Sequence, residues 1–342
     1  MNKCLIRVDG NSIIGTGHQM RCLAIAKELK KFFEVVFVVA DEENAKVLQQ
    51  TDFTIRVLNS KWDDMELELK ILASVIKEEE ADVLLIDSYQ VTELYLRELK
   101  KLVKIVYIDD LHQFQYSCDL LMNYSIFAEK WNYVEEYLGT DTQFLLGCDF
   151  APLAGAYQNL PQKQIGEVKK VLVLTGGTDT YHFALQFVKR IVSRDEFQGI
   201  QFYIVCGRYN MDIEEIRMEE KLLSNIHVLY NVVGLSEWMR DADIAISAGG
   251  TTLYELAACG TPTIAYILAD NQIENVETFA QKEYVVSVGD VRPGFPEEKL
   301  VEILHDMQGN AVRQQMSRKM QQLVDGRGCY RIVEKILQLK MK

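Results

Sequence analysis

The feature that most limits the fold of this chain is an alternation. Short β-rich runs, each one strand long, take turns with amphipathic helical stretches along nearly the whole sequence. Strand-like runs fall at residues 4–8, 35–39, 55–58, 83–86, 105–108 and 120–122. After a break they resume at 171–174, 201–205, 226–229, 244–246, 263–267 and 285–288. Helical stretches between them cover 21–31, 65–80, 92–102, 181–193, 253–259 and 296–307. Strands joined through a helix pair in parallel, because a parallel neighbour needs a crossover of about a dozen residues, and the helices then cover both faces. The polar stretch 158–170, with Pro161 and Gly166, separates two sets of strands. The expected fold is therefore α/β, with two doubly wound, Rossmann-like parallel-sheet domains at residues 1–157 and 158–342 and a cleft between them. A length of 342 residues suits two domains. Ligands of such sheets bind beyond the C-terminal strand ends, at the switch point in strand order, so the residues just after each strand matter most.

Charge narrows the partners. Lys and Arg number 37 against 50 Asp and Glu, a net charge of −13. A surface that acidic repels nucleic acid and anionic membranes, so neither is an expected partner. An anionic ligand must instead be held by helix N-termini or by single arginines. The apolar runs are one strand long, far short of the ~20 residues that span a bilayer, so no membrane insertion is expected. The opening residues lack the apolar core of a signal peptide. The seven cysteines form no CxxC pair and no His/Cys cluster. Unpaired, they read as buried thiols in a reducing compartment, and the expected location is the cytoplasm. The expected partner is a small molecule, with the chain a monomer or weak homo-oligomer.

The first strand runs into Arg7, Asp9, Gly15, Gly17, His18 and Arg21. The glycines permit close approach of a ligand to the backbone, and a helix beginning near His18 presents free N–H groups to an anion. His18 and Arg21 share one helix face, and a neutral imidazole there can act as general base. Arg7 can pair with Asp9, and Asp9 can hold loop amides; both are kept as substrate-binding candidates, with a structural role favoured. Asp87 and Tyr89 follow one strand, and Asp109 and Asp110 another. No HxH or further Asp cluster accompanies that pair, so neither a metal nor a cofactor is expected.

In the second half a strand is followed by Gly176, Gly177 and Thr178, a glycine turn suited to phosphate. A later strand leads to Gly249, Gly250, Thr251 and Thr252, a short helix carrying Glu255, then Gly260 and Pro262. Amides of that turn can cradle a diphosphate without any lysine, and Glu255, one turn in, can take both ribose hydroxyls. Asn271 and Gln272 follow the next strand.

These strings resemble the two-domain GT-B architecture of nucleotide-sugar enzymes. SAGGTTLYELAACGTP and DNQIEN are similar to the donor-binding half of the glycosyltransferase that makes lipid II. By that likeness Glu255 and Asn271 hold UDP, and the uracil lies against backbone at 231–234, around Val233. GT-B chains often return their last helix to the first domain, which here means the segment from about residue 330. RVDGNSIIGTGHQMR, IDSYQVT, YIDDLH, LLGCDFAPL and LTGGTD together resemble the UDP-2,4-diacetamido-2,4,6-trideoxy-β-L-altropyranose hydrolases of pseudaminic acid biosynthesis and the spore-coat polysaccharide proteins close to them. The resemblance implies metal-independent, inverting attack of water on the anomeric carbon. UDP and a free sugar for nonulosonic acid or surface polysaccharide synthesis are released. His18 would then move the proton and Tyr89 touch the sugar. Alternatives are a GT-B glycosyltransferase with a UDP-sugar donor, or a non-catalytic nucleotide-sugar binding protein. The chain departs from the family's usual pattern at Ser88, Gln90 and Ala154, which bears on the identity of the sugar more than on the UDP site.

Overall fold

A computed structural model of the chain describes residues 2–11, 13–232 and 234–339. They form two compact units, Met1–Gly155 with Arg327–Lys342, and Ala156–Gly326. The division falls two residues ahead of the boundary read from the sequence, between Gly155 and Ala156. Tyr157 belongs to the second unit, where its carbonyl oxygen occupies the place a Cβ on Gly326 would need. The last helix, Gly328–Leu337, is part of the first unit and packs on the helix Gly17–Leu29.

The first unit carries a sheet of seven parallel strands among the described residues. They are β1 (Asn2–Val8), β2 (Phe33–Val39), β3 (Thr54–Val57), β4 (Val83–Asp87), β5 (Lys104–Ile108), β6 (Leu120–Asn123) and β7 (Gln143–Leu146), in the order β3-β2-β1-β4-β5-β6-β7. The second unit carries six: β8 (Lys170–Leu174), β9 (Gln201–Cys206), β10 (Ile226–Tyr230), β11 (Ile244–Ala248), β12 (Thr263–Ile267) and β13 (Val286–Asp290), in the order β10-β9-β8-β11-β12-β13. Both are doubly wound. Strand order reverses between β1 and β4, where Val8 pairs with Asp87, and between β8 and β11, where Leu174 pairs with Ser247.

Central strands are buried over most of their length because helices cover both faces. Leu5, Ile6, Leu84, Leu85, Ile105 and Val106 are all fully buried, which explains their unbroken apolar runs. Edge strands β3, β7, β10 and β13 are only partly covered. Strand β7 lies outside the sequence expectation: QFLL is four residues long with only Leu145 buried, too short a pattern to read. Among the described residues no helix is long and apolar enough to cross a membrane.

Arg7 is the first correction. Its side chain is fully buried, not offered to a ligand. Nε and Nη2 donate to the two carboxylate oxygens of Glu68 at 2.7 and 2.8 Å, and Nη1 donates to Asp9 at 2.5 Å. Glu68 also accepts from the hydroxyls of Tyr95 at 2.8 Å and Ser60 at 2.7 Å. Arg7 thus pins β1 to the segment ahead of the Leu69–Glu78 helix. Removing one partner of a buried pair strands the other charge, so Arg7→Met is expected to lower unfolding stability by about 3–5 kcal/mol, read by urea denaturation.

Candidate functional site

At the β1/β4 switch point the loop after Val8 is held by its own polar groups. Asn11 Oδ1 accepts from the amides of Ile13 and Ile14, and the Gly15 amide donates to the Asn11 carbonyl at 2.9 Å. Gly15 makes this turn at φ +74°, a left-handed conformation that glycine adopts without strain. The helix Gly17–Leu29 then begins without a side-chain cap, leaving its first-turn N–H groups available.

His18 stands in that first turn. Its Nδ1 lies 2.6 Å from Asp87 Oδ1, so the buried carboxylate selects the tautomer with the proton on Nδ1. Nε2 keeps its lone pair and has no hydrogen-bond partner among the described residues. Tyr89 meets the imidazole edge to face, with ring centroids 4.6 Å apart, and donates its hydroxyl to Asp110 at 3.2 Å. Asp9, His18, Asp87 and Tyr89 line one pocket with Ile14, Trp62, Ser88 and Gln90.

Arg21 and Asp87 are paired behind His18, with Asp87 reaching the pocket lining. Arg21 donates through Nε and Nη2 to both oxygens of Asp87, each at 2.6 Å. It also reaches Asp110 at 2.7 Å and the Tyr124 hydroxyl at 2.7 Å, and its side chain is only 6% exposed. The guanidinium has no donor to spare for substrate, which corrects its placement as a binding residue. Burial pushes the Asp87 carboxyl up, but Arg21 and His18 outweigh burial and hold it well below the usual carboxylate range. Asp87 therefore stays ionised behind His18. Asp109 faces elsewhere, accepting from the amides of Leu111 and His112 and from the Tyr133 hydroxyl, so the adjacent carboxylates form no dyad. Among the described residues no group of three or more His, Cys, Asp or Glu is placed to hold a metal ion.

The second unit repeats the plan at its own switch point. Gly249 continues from β11 and gives its amide to the Tyr266 carbonyl at 2.9 Å, so it is not one of the free donors. A Cβ there would collide with Val276 Cγ2, and Asn275 donates to the Gly249 carbonyl at 2.8 Å. The turn is thus pressed against the helix Ile273–Gln281. The amides of Gly250, Thr251 and Thr252 have no acceptor among the described residues and open the uncapped helix Thr252–Cys259. Three free amide donors, not four, are left at this turn.

Glu255 lies in that helix, half-buried, with the Tyr157 hydroxyl acting on its carboxylate. Burial pushes its carboxyl up to about 7, against the pull of that hydroxyl. On the neighbouring strand, Gly176 turns at φ +78°, and Gly207 packs so closely on Gly176 and Gly177 that a Cβ would clash. This turn does not open a helix directly: Asp179 caps the helix Phe183–Phe187 through two amides, leaving Thr178 and the two glycines outside it. Buried Thr175 Oγ1 has no partner among the described residues. Asn271 is exposed after β12, whereas Gln272 turns its Oε1 back to the Leu268 amide at 2.9 Å and stabilises the loop. Val233 lies outside the described residues.

With both switch points described, comparison with known proteins can be set beside them. Residues 171–328 match the glycosyltransferase family 28 C-terminal domain. That stretch holds the Gly250–Thr252 turn and Glu255. Across more of its length the chain is 23% identical to the spore coat polysaccharide biosynthesis protein SpsG of Bacillus subtilis, over 96% of this chain and 95% of that one. It is 23% identical to the UDP-2,4-diacetamido-2,4,6-trideoxy-beta-L-altropyranose hydrolase of Campylobacter jejuni, over 83% of this chain and 98% of that one. An uncharacterised protein of Methanocaldococcus jannaschii is 22% identical over 86% of this chain, which spans 61% of that relative. Among solved structures, Acinetobacter baumannii MurG superposes with a TM-score of 0.71 at 14% identity, covering 99% of this chain and 100% of that one. The resemblance read from the motifs is borne out, and the fold is GT-B.

Trp62 and Tyr157 escaped the sequence reading. Trp62 sits in a loop after β3 with no motif around it, and Tyr157 just ahead of the polar stretch 158–170, within the second unit. Neither could have been found without the tertiary structure. Ser88 and Gln90 were visible only as departures from a family pattern, and both line the His18 pocket.

Because Asp87 sets the His18 tautomer, Asp87→Asn is expected to cut turnover by about 10²-fold or more, within the range of general-base contributions. Steady-state kinetics with UDP affinity measured in parallel checks this.

Proposed function

We propose that the chain hydrolyses a UDP-linked 2,4-diacetamido-2,4,6-trideoxyhexose at the anomeric carbon, without a metal and with inversion. The observation that carries the reading is the His18–Asp87 pair lining a pocket at the first switch point. The likeness to a C. jejuni protein named for this hydrolysis supports it. Nε2 of His18 takes a proton from water as the water oxygen bonds to the anomeric carbon. The bond from that carbon to the phosphate oxygen breaks, and UDP leaves with the electron pair. Asp87 stabilises the imidazolium that forms. In the second unit, the amides of Gly250, Thr251 and Thr252 receive the diphosphate and ionised Glu255 the ribose hydroxyls, with Asn271 beside them. All seven cysteines are free and buried, which suits work in the cytoplasm.

The family 28 match favours a second reading, in which an acceptor hydroxyl replaces water. One experiment separates the two. The protein is incubated with UDP-linked diacetamido-trideoxy sugars and EDTA, without acceptor, and UDP release is followed. Release is expected; none from any such sugar, with UDP still bound, leaves the transferase. Dependence on added divalent metal would contradict the metal-free chemistry.

A further inference from the structure

The charge around the His18 pocket is unbalanced. Arg7 and Arg21 are its buried cations, and each is shared by two carboxylates: Arg7 by Asp9 and Glu68, Arg21 by Asp87 and Asp110. Tyr89 donates its hydroxyl to Asp110, and the Tyr124 hydroxyl accepts from Arg21. The pocket lining contains Asp9 and Asp87 but no lysine or arginine, and Ile14, Trp62, Ser88 and Gln90 are uncharged. With His18 uncharged in its role as base, four carboxylates stand against two guanidiniums.

We propose that this surplus of negative charge makes the pocket select against sugars that carry a carboxylate, with Asp110 a specificity-determining residue. The proposal rests on the first-unit pocket being the sugar site. Asp87 already balances Arg21, so Asp110, on the same guanidinium, is surplus. Its side chain is 16% exposed, and it accepts the hydroxyl of the pocket residue Tyr89. A sugar carboxylate entering this pocket loses water and meets no free cation, while the neutral lining can still hydrogen-bond hydroxyl and amide groups. The same surplus favours the positive charge that develops at the anomeric carbon as UDP departs.

Binding of UDP, UDP-glucose and UDP-glucuronic acid by calorimetry tests this, because the two sugars differ only in a hydroxymethyl against a carboxylate at C6. Wild-type protein is expected to bind the glucuronate at least about tenfold more weakly than the glucose form, and Asp110→Asn to narrow that ratio by about threefold or more. A purely structural role for Asp110 would weaken both ligands and leave the ratio alone. Equal affinities for the two sugars with UDP binding intact would overturn the inference while sparing the nucleotide site. A wild-type preference unmoved by Asp110→Asn would overturn the assignment to that residue. Failure of UDP itself to bind would instead overturn the nucleotide reading, and this inference with it.

Discussion

His18→Ala is expected to slow UDP release by about 10²–10⁴-fold, the usual contribution of a positioned general base, while UDP affinity stays near that of the wild type. The split follows from where the residue sits. His18 belongs to the first unit, and every group assigned to the nucleotide belongs to the second. Its Nδ1 is committed to Asp87 at 2.6 Å, so only Nε2 can take the proton, and a methyl group at that position takes none. Single-turnover release of UDP together with UDP calorimetry checks both halves. Wild-type release by the variant would leave hydrolysis standing but remove His18 as the base.

The second large effect is on nucleotide binding. UDP affinity is expected to fall below about pH 7, approaching tenfold per unit, and to level off above it. The Glu255 carboxyl of the free protein is pushed up to about 7 by burial. Ribose hydroxyls donate to its ionised form, so below that pH binding must first remove a proton. A phosphate group also titrates near pH 6, so the wild-type curve alone does not isolate Glu255. Glu255→Gln does: it is expected to weaken UDP about 10–100-fold at pH 8 and to abolish the part of the pH dependence centred near 7. A variant that binds UDP as the wild type does at both pH 6 and pH 8 would remove Glu255 from the ribose.

Stability carries its own pH signature through Asp87. Its folded carboxyl is held below the unfolded value, so its contribution is present above the unfolded pKa, near 3.9, and is lost as pH falls through the folded one. Glu255 has the opposite sign. Raised on folding, it costs stability above about pH 7 when no ligand is bound, and that cost fades as pH drops toward its unfolded value.

The alternation of apolar runs and amphipathic stretches was enough to place twelve of the thirteen strands, because parallel strands buried on both faces are written as unbroken apolar segments. The missing one, Gln143–Leu146, is a half-covered edge. Glycine turns after strands were equally readable, since the need for close approach or for a left-handed backbone shows in the residue type itself. Beyond the Arg7–Asp9 pair, the partners of charged side chains were not. Arg7, Asp9, Arg21 and Asp87 all follow or begin near the first switch point, and sequence position alone offers each of them to a ligand. Their roles depend on Glu68 and Asp110, which approach from segments 61 and 89 residues away.

The sequence by itself determined the α/β class, the strand ends that carry function, His18, and the Gly250–Thr252 turn with Glu255. These are local properties: periodicity, turn chemistry and a helix start within a few residues of one another. Only the tertiary structure decided that Arg7 and Arg21 are satisfied inside the first unit, that Asp87 sets the tautomer of His18, that Trp62 joins its pocket, and that Tyr157 acts on Glu255. Each of those depends on which distant side chain arrives at hydrogen-bond distance when the sheet closes, and buried charge leaves no freedom to choose another partner. The net charge of −13 shows the same limit. Composition places that charge on the surface, whereas the fold keeps an unbalanced part of it beneath the residue proposed to carry the reaction.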